Sequence, residues 1–423
     1  MKLFEVAQHA PAWLLAESAE EKATHLEHLE DLVFNQGAVG AQQALNYLAS
    51  LRSMFAEGTG TASRVTVKWD GAPAVHAGTD PADGKFFVGT KSVFAKTEPK
   101  LCKTPADIER WYGDVPGLAQ KLSLCLQYLP ELGIQGVVKG DLLFTAGELT
   151  PADINGQACI TFTPNTITYA VPADSELARR MQAAKLGIIF HTSYTGDSIA
   201  NMQAEFGYSV AGLNPSRNVW YDDAYYRDYT GIASLTPEEN RAIKQRLRQA
   251  AVLLKSIDFT AFNTIVTNPE FATYIKPYVN NLIKTGQMQV GDPRQFLAGF
   301  MEFYRGKKQA EIDKLKGGAA SPAAQSRLQK IEAKEQFIQA HQEDLVKILE
   351  LYQDITAMKL ALIYKLRQVE SIAGTFIKTN DGFRVSKPEG FVAIGHDGGA
   401  VKLVDRLEFS RENFLATKAW AKP

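Results

Sequence analysis

The residues best placed to do chemistry lie in Val65-Thr66-Val67-Lys68-Trp69-Asp70-Gly71. A β-branched run with two-residue alternation predicts a strand that delivers Lys68 at its end, with a carboxylate and a glycine following. A protonated lysine is a poor nucleophile. A partly desolvated or cation-rich pocket lowers its pKa and makes the amine reactive. A strand end would hold that amine rigidly, and Gly71 would let the backbone approach a ligand closely.

Other candidates lie far along the chain. Gly136-Val137-Val138-Lys139-Gly140-Asp141-Leu142-Leu143-Phe144 is an apolar run with one acid set in it. A carboxylate among strand formers is costly to bury unless it is paired or liganded, which singles out Asp141. The Asp83-Gly84 turn signal predicts that residues 85–92 return as a strand beside the Lys68 strand, carrying Lys91 with Lys96 behind it. Near the end, Thr375-Phe376-Ile377-Lys378, an Asn380-Asp381-Gly382 turn, Glu389-Gly390-Phe391-Val392 and Val401-Lys402-Leu403 restore strand patterns after a long helical stretch. His25 and His28 share a helix face with Glu21 and Glu27 nearby. That spacing suits either a metal pair or, more commonly, solvated histidines.

Lys68-Trp69-Asp70-Gly71 resembles the K-x-D-G nucleophile motif of the covalent nucleotidyltransferases, the superfamily of ATP-dependent DNA and RNA ligases and mRNA capping enzymes. Glu389-Gly390-Phe391-Val392 resembles their metal-binding glutamate motif. Val401-Lys402-Leu403 resembles their last motif, and the trailing Phe409-Ser410 is most like bacteriophage RNA ligases. The order Lys68, Asp141, Glu389, Lys402 is also that superfamily's order. The whole chain resembles a group of tailed-phage proteins.

The resemblance implies an ATP-dependent, RNA-type polynucleotide ligase working through a lysyl-AMP on Lys68, with Mg2+ or Mn2+ held by Asp141 and Glu389. In this reading Lys402 and Lys91 stabilise the phosphates, and Tyr169 or Phe190 stacks on the base. Asp70 orients the nucleophile or the ribose. Bland alternatives stand beside these: Lys91 as an exposed edge lysine, Tyr169 and Phe190 as core aromatics, Asp70 as a turn cap. Acceptors other than nucleic acid remain open, as a protein side chain or a capping-type GTP reaction. So does a catalytically dead structural protein on a ligase-like core. Two departures bear on this: Val404 stands where the last motif has a second lysine (Arg406 being a substitute), and residues 403–423 are too few for a C-terminal OB domain.

The elements that must position these residues predict an α+β protein: a nucleotidyltransferase core of antiparallel sheets with flanking helices, plus a large helical insertion. The divisions are residues 1–60, an N-terminal helical region broken at Gly37 and Gly40; 61–234, the first part of the core; 235–373, the insertion; and 374–423, the last core strands. Thr236-Pro237-Glu238-Glu239 is a capping box opening the insertion. Residues 323–373 form one helical pattern with Ile331, Ile338, Leu345, Tyr352 and Leu366 on a seam that Lys359 interrupts. A helix of that length needs a partner along its seam, in another helix or a second copy. Arg241, Lys244, Arg246 and Arg248, then Arg305, Lys307, Lys308, Lys314 and Lys316, form basic clusters suited to a phosphate backbone or to a solvated helix face.

The chain has 423 residues, 45% of them hydrophobic and 22% charged, with net charge −1. That suits two or three globular domains, and any nucleic-acid-binding face must be local. Cys102, Cys125 and Cys159 are odd in number and form no CxxC, which predicts reduced, buried thiols rather than a zinc site. No apolar run approaches the roughly 18 residues of a membrane span, and the N-terminus lacks a signal-peptide pattern. The expected location is the cytoplasm, that of a bacterial host if the chain is phage-encoded.

Overall fold

The computed structural model describes residues 26–57, 64–154, 156–225, 234–287, 290–315, 321–367, 374–379, 382–385, 390–395 and 399–410. It is a mixed α+β structure with three sheets in which, among the described strands, all pairings but one are antiparallel. The first sheet joins β1 (Arg64–Lys68), β13 (Gly390–Ile394) and β14 (Ala400–Val404) in the order β1-β13-β14. The second runs β10 (Val219–Asp223), β8 (Leu186–Thr195), β4 (Val137–Thr145), β2 (Ala74–Thr79), β3 (Phe86–Gly89), with β9 (Gln203–Phe206) also on β8. The third is β12 (Gly382–Val385), β11 (Gly374–Thr379), β7 (Thr168–Pro172), β6 (Gln157–Phe162), β5 (Thr150–Ile154). Helices α2 (Pro105–Tyr112) and α3 (Pro116–Tyr128) cover one face of the second sheet, where Ile108, Leu122 and Cys125 meet Val75, Val138, Ile188 and Phe190. A short α4 (Glu176–Ala183) packs on the third sheet.

The remaining helices form one body. They are α1 (Leu32–Glu57), α5 (Pro237–Ser256), α6 (Phe259–Thr267), α7 (Pro269–Lys284), α8 (Pro293–Asp313), α9 (Pro322–Ala340) and α10 (Gln342–Leu366). Their starts follow from sequence. Thr236, Asn268, Asp292 and Ser321 each cap a helix with a side-chain oxygen, and a proline fills the first turn of each. Such caps satisfy backbone N–H groups that have no partner inside the helix, and proline has none to lose. The box at residue 236 closes as expected: Thr236 Oγ1 accepts from Glu239 N at 3.2 Å, and Glu239 Oε2 accepts from Thr236 N at 2.8 Å.

Four expectations change here. The 323–373 pattern is not one helix, because it breaks at His341, whose backbone (φ −112°, ψ 18°) is not helical. The seam on α10 (Leu345, Ile348, Tyr352, Ile355, Leu362) is covered within the chain by α1, α5 and α6, so no second copy is needed to bury it. Residues 32–57 and the helices after residue 236 share one core rather than forming two regions, and Val65, Phe391, Ala393, Val401 and Leu403 of the first sheet belong to that core too. The break at Gly37 appears as a kink in α1 (φ 58°, ψ −137°). The strand after the Asp83-Gly84 turn, β3, pairs with β2 and not with the Lys68 strand. All three cysteines are buried free thiols.

Lys359, the misfit of the seam, is fully buried. Its ammonium lies 2.8 Å from both oxygens of Glu30 and 2.9 Å from the Val404 carbonyl oxygen. Arg406 is buried alongside, donating to Asp31 (3.0 Å) and Asn280 (2.6 Å). It is therefore committed to the helical core and does not replace a missing lysine. Removing one partner of a buried ion pair strands the other charge and costs about 3–5 kcal/mol, whereas replacing both with apolar groups is often neutral. Urea unfolding should therefore show Lys359→Ala strongly destabilised and Glu30→Leu/Lys359→Met near wild type; a Lys359→Ala loss below about 0.5 kcal/mol, the size of an ordinary surface change, would contradict this role.

Candidate active site

The first sheet sorts its side chains between two environments. Thr66, Val392 and Lys402 are aligned across β1, β13 and β14, and Lys68, Gly390 and Val404 form the row two residues on. Side chains alternate along a strand, so these rows share the face opposite the one buried on the helices. Lys68 and Lys402 thereby meet although they are far apart in sequence.

The opposing wall is the second sheet. On β4, Lys139 and Asp141 are two apart and share a face. The turn that follows Lys68 leads directly to them: Ala74 pairs with Asp141, and Ala72 N donates to Leu142 O at 2.9 Å. Gly71 is needed at this crossing, since a Cβ there would lie 2.5 Å from Asp141 Cβ. The close approach predicted for Gly71 is thus to the Asp141 strand. Strand β8 contributes Ile189, paired with Asp141, and then His191. The register passes from Gly140↔Phe190 to Lys139↔Thr192, which leaves His191 as the extra residue of a β-bulge. A bulge interrupts the ladder and re-aims a side chain.

Between the walls is a cavity of about 180 Å3 lined by Lys68, Lys139, Asp141, His191 and Lys402, together with Thr66, Trp69, Ile189, Phe206 and Val392. The two sheets are tied at its edge by Val67 N donating to Ala224 O at 2.6 Å. Three amines face one carboxylate here, so the lining favours a polyanion. Burial works against the charged form of Asp141, but the neighbouring His191 imidazole, then the Lys139 and Lys68 amines, outweigh it and hold the carboxyl below its usual range. His28 lies behind Lys402, bridging to it through the backbone. Burial, then the charges of Arg406, Lys359, Lys402 and Lys68, keep its imidazole neutral. A site crowded with cations does not suit the His25–His28 metal pair, and His25 lies outside the described residues.

Of the residues singled out from sequence, Lys68, Asp141 and Lys402 converge in this cavity, and Glu389 lies outside the described residues. The others are placed elsewhere. Asp70 is buried and its carboxylate is occupied: it accepts from Asn165 Nδ2 (2.8 Å), Thr166 N (2.7 Å) and Ile167 N (2.8 Å). It latches the turn rather than touching a ligand, which is the capping alternative. Tyr169 is a core aromatic, 5.0 Å from the Trp69 ring and 5.3 Å from Phe162, with its hydroxyl accepting from Asp70 N at 2.8 Å. Phe190 points away from Ile189 and His191 into the core beneath α2 and α3. Lys91 is exposed at the start of a 3-10 turn after β3 and does not line the cavity. Lys308 is buried against the rings of Tyr274 and Tyr304 and donates to Tyr274 Oη at 2.9 Å, so it is not a phosphate contact. Arg241, Lys244, Arg248 and Lys307 are exposed, Arg241 pairing with Glu238 at 2.9 Å.

Two cavity residues, Lys139 and His191, escaped the sequence reading. Lys139 was findable, because strand alternation puts it on the Asp141 face. His191 shares a face with Ile189 by simple alternation, but nothing along β8 alone says that this face meets Asp141, because the bulge shifts β8 against β4 between Lys139 and Gly140. Among the described residues no cluster of three or more histidine, cysteine, aspartate or glutamate side chains is assembled for a metal, and no single helix is long and apolar enough to cross a membrane.

The chain belongs to the family described as "Family of unknown function (DUF6267)", whose profile matches residues 23–418. Neither a curated protein nor a solved structure matches it.

One titration follows from the cavity wall. His76, paired with Lys139 on β2, is buried, and burial followed by the charges of Lys139 and His191 pushes its pKa down from 6.5 to about 3. The unfolded state therefore binds a proton near pH 6.5 that the folded state refuses, and stability falls as pH drops below that value. By about pH 5 the loss is about 2 kcal/mol. Urea unfolding across this range should show that loss in the wild type and a clearly flatter slope in His76→Leu; equal slopes would show that His76 does not titrate this way.

Proposed function

We propose that this protein is a covalent nucleotidyltransferase that carries a nucleotide on Lys68, and that it is an ATP-dependent ligase of RNA type. The observation that carries the reading is the convergence of Lys68, Asp141 and Lys402, from three distant segments, on one cavity between two sheets. The resemblance to the superfamily's motifs assigns these three residues in the same order along the chain. Lys139 adds a further cation where a triphosphate would need one.

In this mechanism the neutral Lys68 amine attacks the α-phosphorus of ATP in line with the departing oxygen. A P–N bond forms, the bond to the bridging oxygen breaks, and pyrophosphate leaves with that electron pair while the amine's proton passes to solvent. Lys402 and Lys139 sit where negative charge accumulates on the phosphoryl oxygens, and catalysis is chiefly positioning and electrostatic stabilisation. A divalent cation held at Asp141 would further spread the triphosphate charge. The lysyl-AMP then gives its adenylyl group to a 5′-phosphate end, restoring the amine. A 3′-hydroxyl displaces AMP from that activated end and seals the strand. The exposed Arg241, Lys244 and Arg248 on α5 and Lys307 on α8 are the candidate contacts to the strand.

Intact mass after incubation with ATP and magnesium should show a gain of one AMP in the wild type and none in Lys68→Ala. Lys402→Ala should slow the gain about 100-fold or more, as loss of one preorganised charge-stabilising group does. A wild type that gains no AMP with ATP, or GMP with GTP, would refute the reading and leave a structural protein on this fold. Transfer of label to RNA, nicked duplex or protein then identifies the acceptor.

A further inference from the structure

Helix α5 turns its apolar side, Ile243, Ala250 and Leu254, into the helical core and leaves a charged row outside. Arg241, Lys244, Arg248 and Lys255 are exposed, and their spacing of three, four and seven residues puts them on one face of the helix. At about 1.5 Å per residue the row runs about 21 Å. Among the described residues Lys244, Arg248 and Lys255 make no ion pair, and Arg241 meets Glu238 in an exposed pair of little strength. No acid stands from residue 240 to 257. None stands from 32 to 56 on α1 either, which packs beside α5 and reaches it where Arg52 Nη1 donates to Asn240 Oδ1 at 2.7 Å. Acids make up 47 of the chain's 423 residues, so their absence from both of two adjacent helices is a specific feature of this face. Two apolar groups lie along it. Val252, 68% exposed, falls between Arg248 and Lys255. Tyr364 on α10 is 59% exposed and stands beside the Arg241 end of the row, since its neighbour Lys365 pairs with Glu239 in the first turn of α5 at 2.8 Å.

We propose that this face of α5, with Tyr364 beside it, binds single-stranded nucleic acid, the cations tracking the phosphates and the tyrosine ring stacking on a base. Positive charge with no acids among it is what a polyanionic backbone requires. An aromatic ring left in water next to that charge suits a single strand, whose bases can offer a face for stacking, whereas a duplex keeps its bases stacked on one another. A membrane surface is the poorer fit. A basic helix that lies on lipid needs its apolar face free to insert, and that of α5 is buried in the core. In naming the acceptor strand the proposal rests on the nucleotidyltransferase reading, but the binding itself can be measured with no nucleotide present.

The test is fluorescence anisotropy of a labelled single-stranded RNA of mixed sequence with the purified full chain, without ATP, over a series of salt concentrations. The logarithm of affinity should fall against the logarithm of salt with a slope of about −3, as four neutralised phosphates on a single strand give. Lys244→Gln/Arg248→Gln should halve that slope. Lys85→Gln/Lys96→Gln, an equal loss of exposed charge on either side of β3, should leave it unchanged. Tyr364→Ala should weaken binding about tenfold at every salt concentration without changing the slope, and Tyr364→Phe should bind as the wild type does, because stacking needs the ring and not the hydroxyl. All these side chains are exposed, and thermal melts establish that each variant is folded. No binding, a slope unmoved by Lys244→Gln/Arg248→Gln, full affinity in Tyr364→Ala, or a preference for the corresponding duplex or for phosphatidylserine vesicles would overturn the proposal. RNA binding on this face by a protein that gains no AMP by mass would uphold the surface and reject the transferase reading; AMP gain without RNA binding would reject the surface and leave the transferase with another acceptor.

Discussion

The Lys359 ammonium, closed off from solvent and shared between Glu30 and the Val404 carbonyl, is the interaction on which the arrangement depends. It ties together three pieces that also share one apolar core: the turn at residues 29–31, helix α10 and the end of β14, the strand that carries Lys402. Arg406 repeats the connection one step further along, through Asp31 and Asn280. Buried ion pairs contribute little net stability compared with apolar packing, but they penalise every register in which the charges fail to meet. Here the register at stake is that of β14 on β13, and a slip of one residue would turn Lys402 from the cavity into the helical core.

This gives the helices a structural meaning. They are not appended to the sheets. The first sheet is a partition, with Val65, Phe391, Ala393, Val401 and Leu403 on the helical side and Thr66, Lys68, Val392 and Lys402 on the cavity side. Burying the apolar face of so small a sheet against a large helical body holds the strand end that carries Lys68 in place, as the proposed nucleophile would require. Across the cavity the second sheet is stiffened in the same way by α2 and α3. Amines whose positions are set by two packed sheets need little rearrangement to meet a polyphosphate, and stabilisation of this kind depends on such preorganisation.

Part of this was legible in the chain. Strand alternation ending in Lys68, the acid isolated in the residue 136–144 run and the late strand with Lys402 identified side chains that do converge. The capping box at Thr236-Pro237 marked one helix start, and the apolar spacing of α10 identified its buried face; the same cap-and-proline chemistry at Asn268, Asp292 and Ser321 reads from sequence as breaks between helices. What was not legible is mostly non-local. Nothing near residue 86 says that β3 will pair with β2 in one sheet while β1 joins strands from the far end of the chain in another. Asp70 and Tyr169 have the residue types of a ligand site, yet they hydrogen-bond each other's surroundings and hold the turn, a use that composition cannot distinguish. Lys308 is in a basic cluster by sequence and beneath two tyrosine rings in space. The bulge beside His191 offsets β8 against β4, which no count along a single strand reveals.

In the function proposed above, the Lys68 amine is seated to form a bond to the α-phosphorus of a nucleoside triphosphate. A crystal structure with a non-transferable ATP analogue tests it most directly. The expected result is the triphosphate lying between the two sheets, with the α-phosphorus about 3–3.5 Å from Lys68 Nζ and its oxygens beside Lys139 and Lys402. A nucleotide bound elsewhere on the protein, or one seated in the cavity with Lys68 turned away from the α-phosphorus, would contradict it.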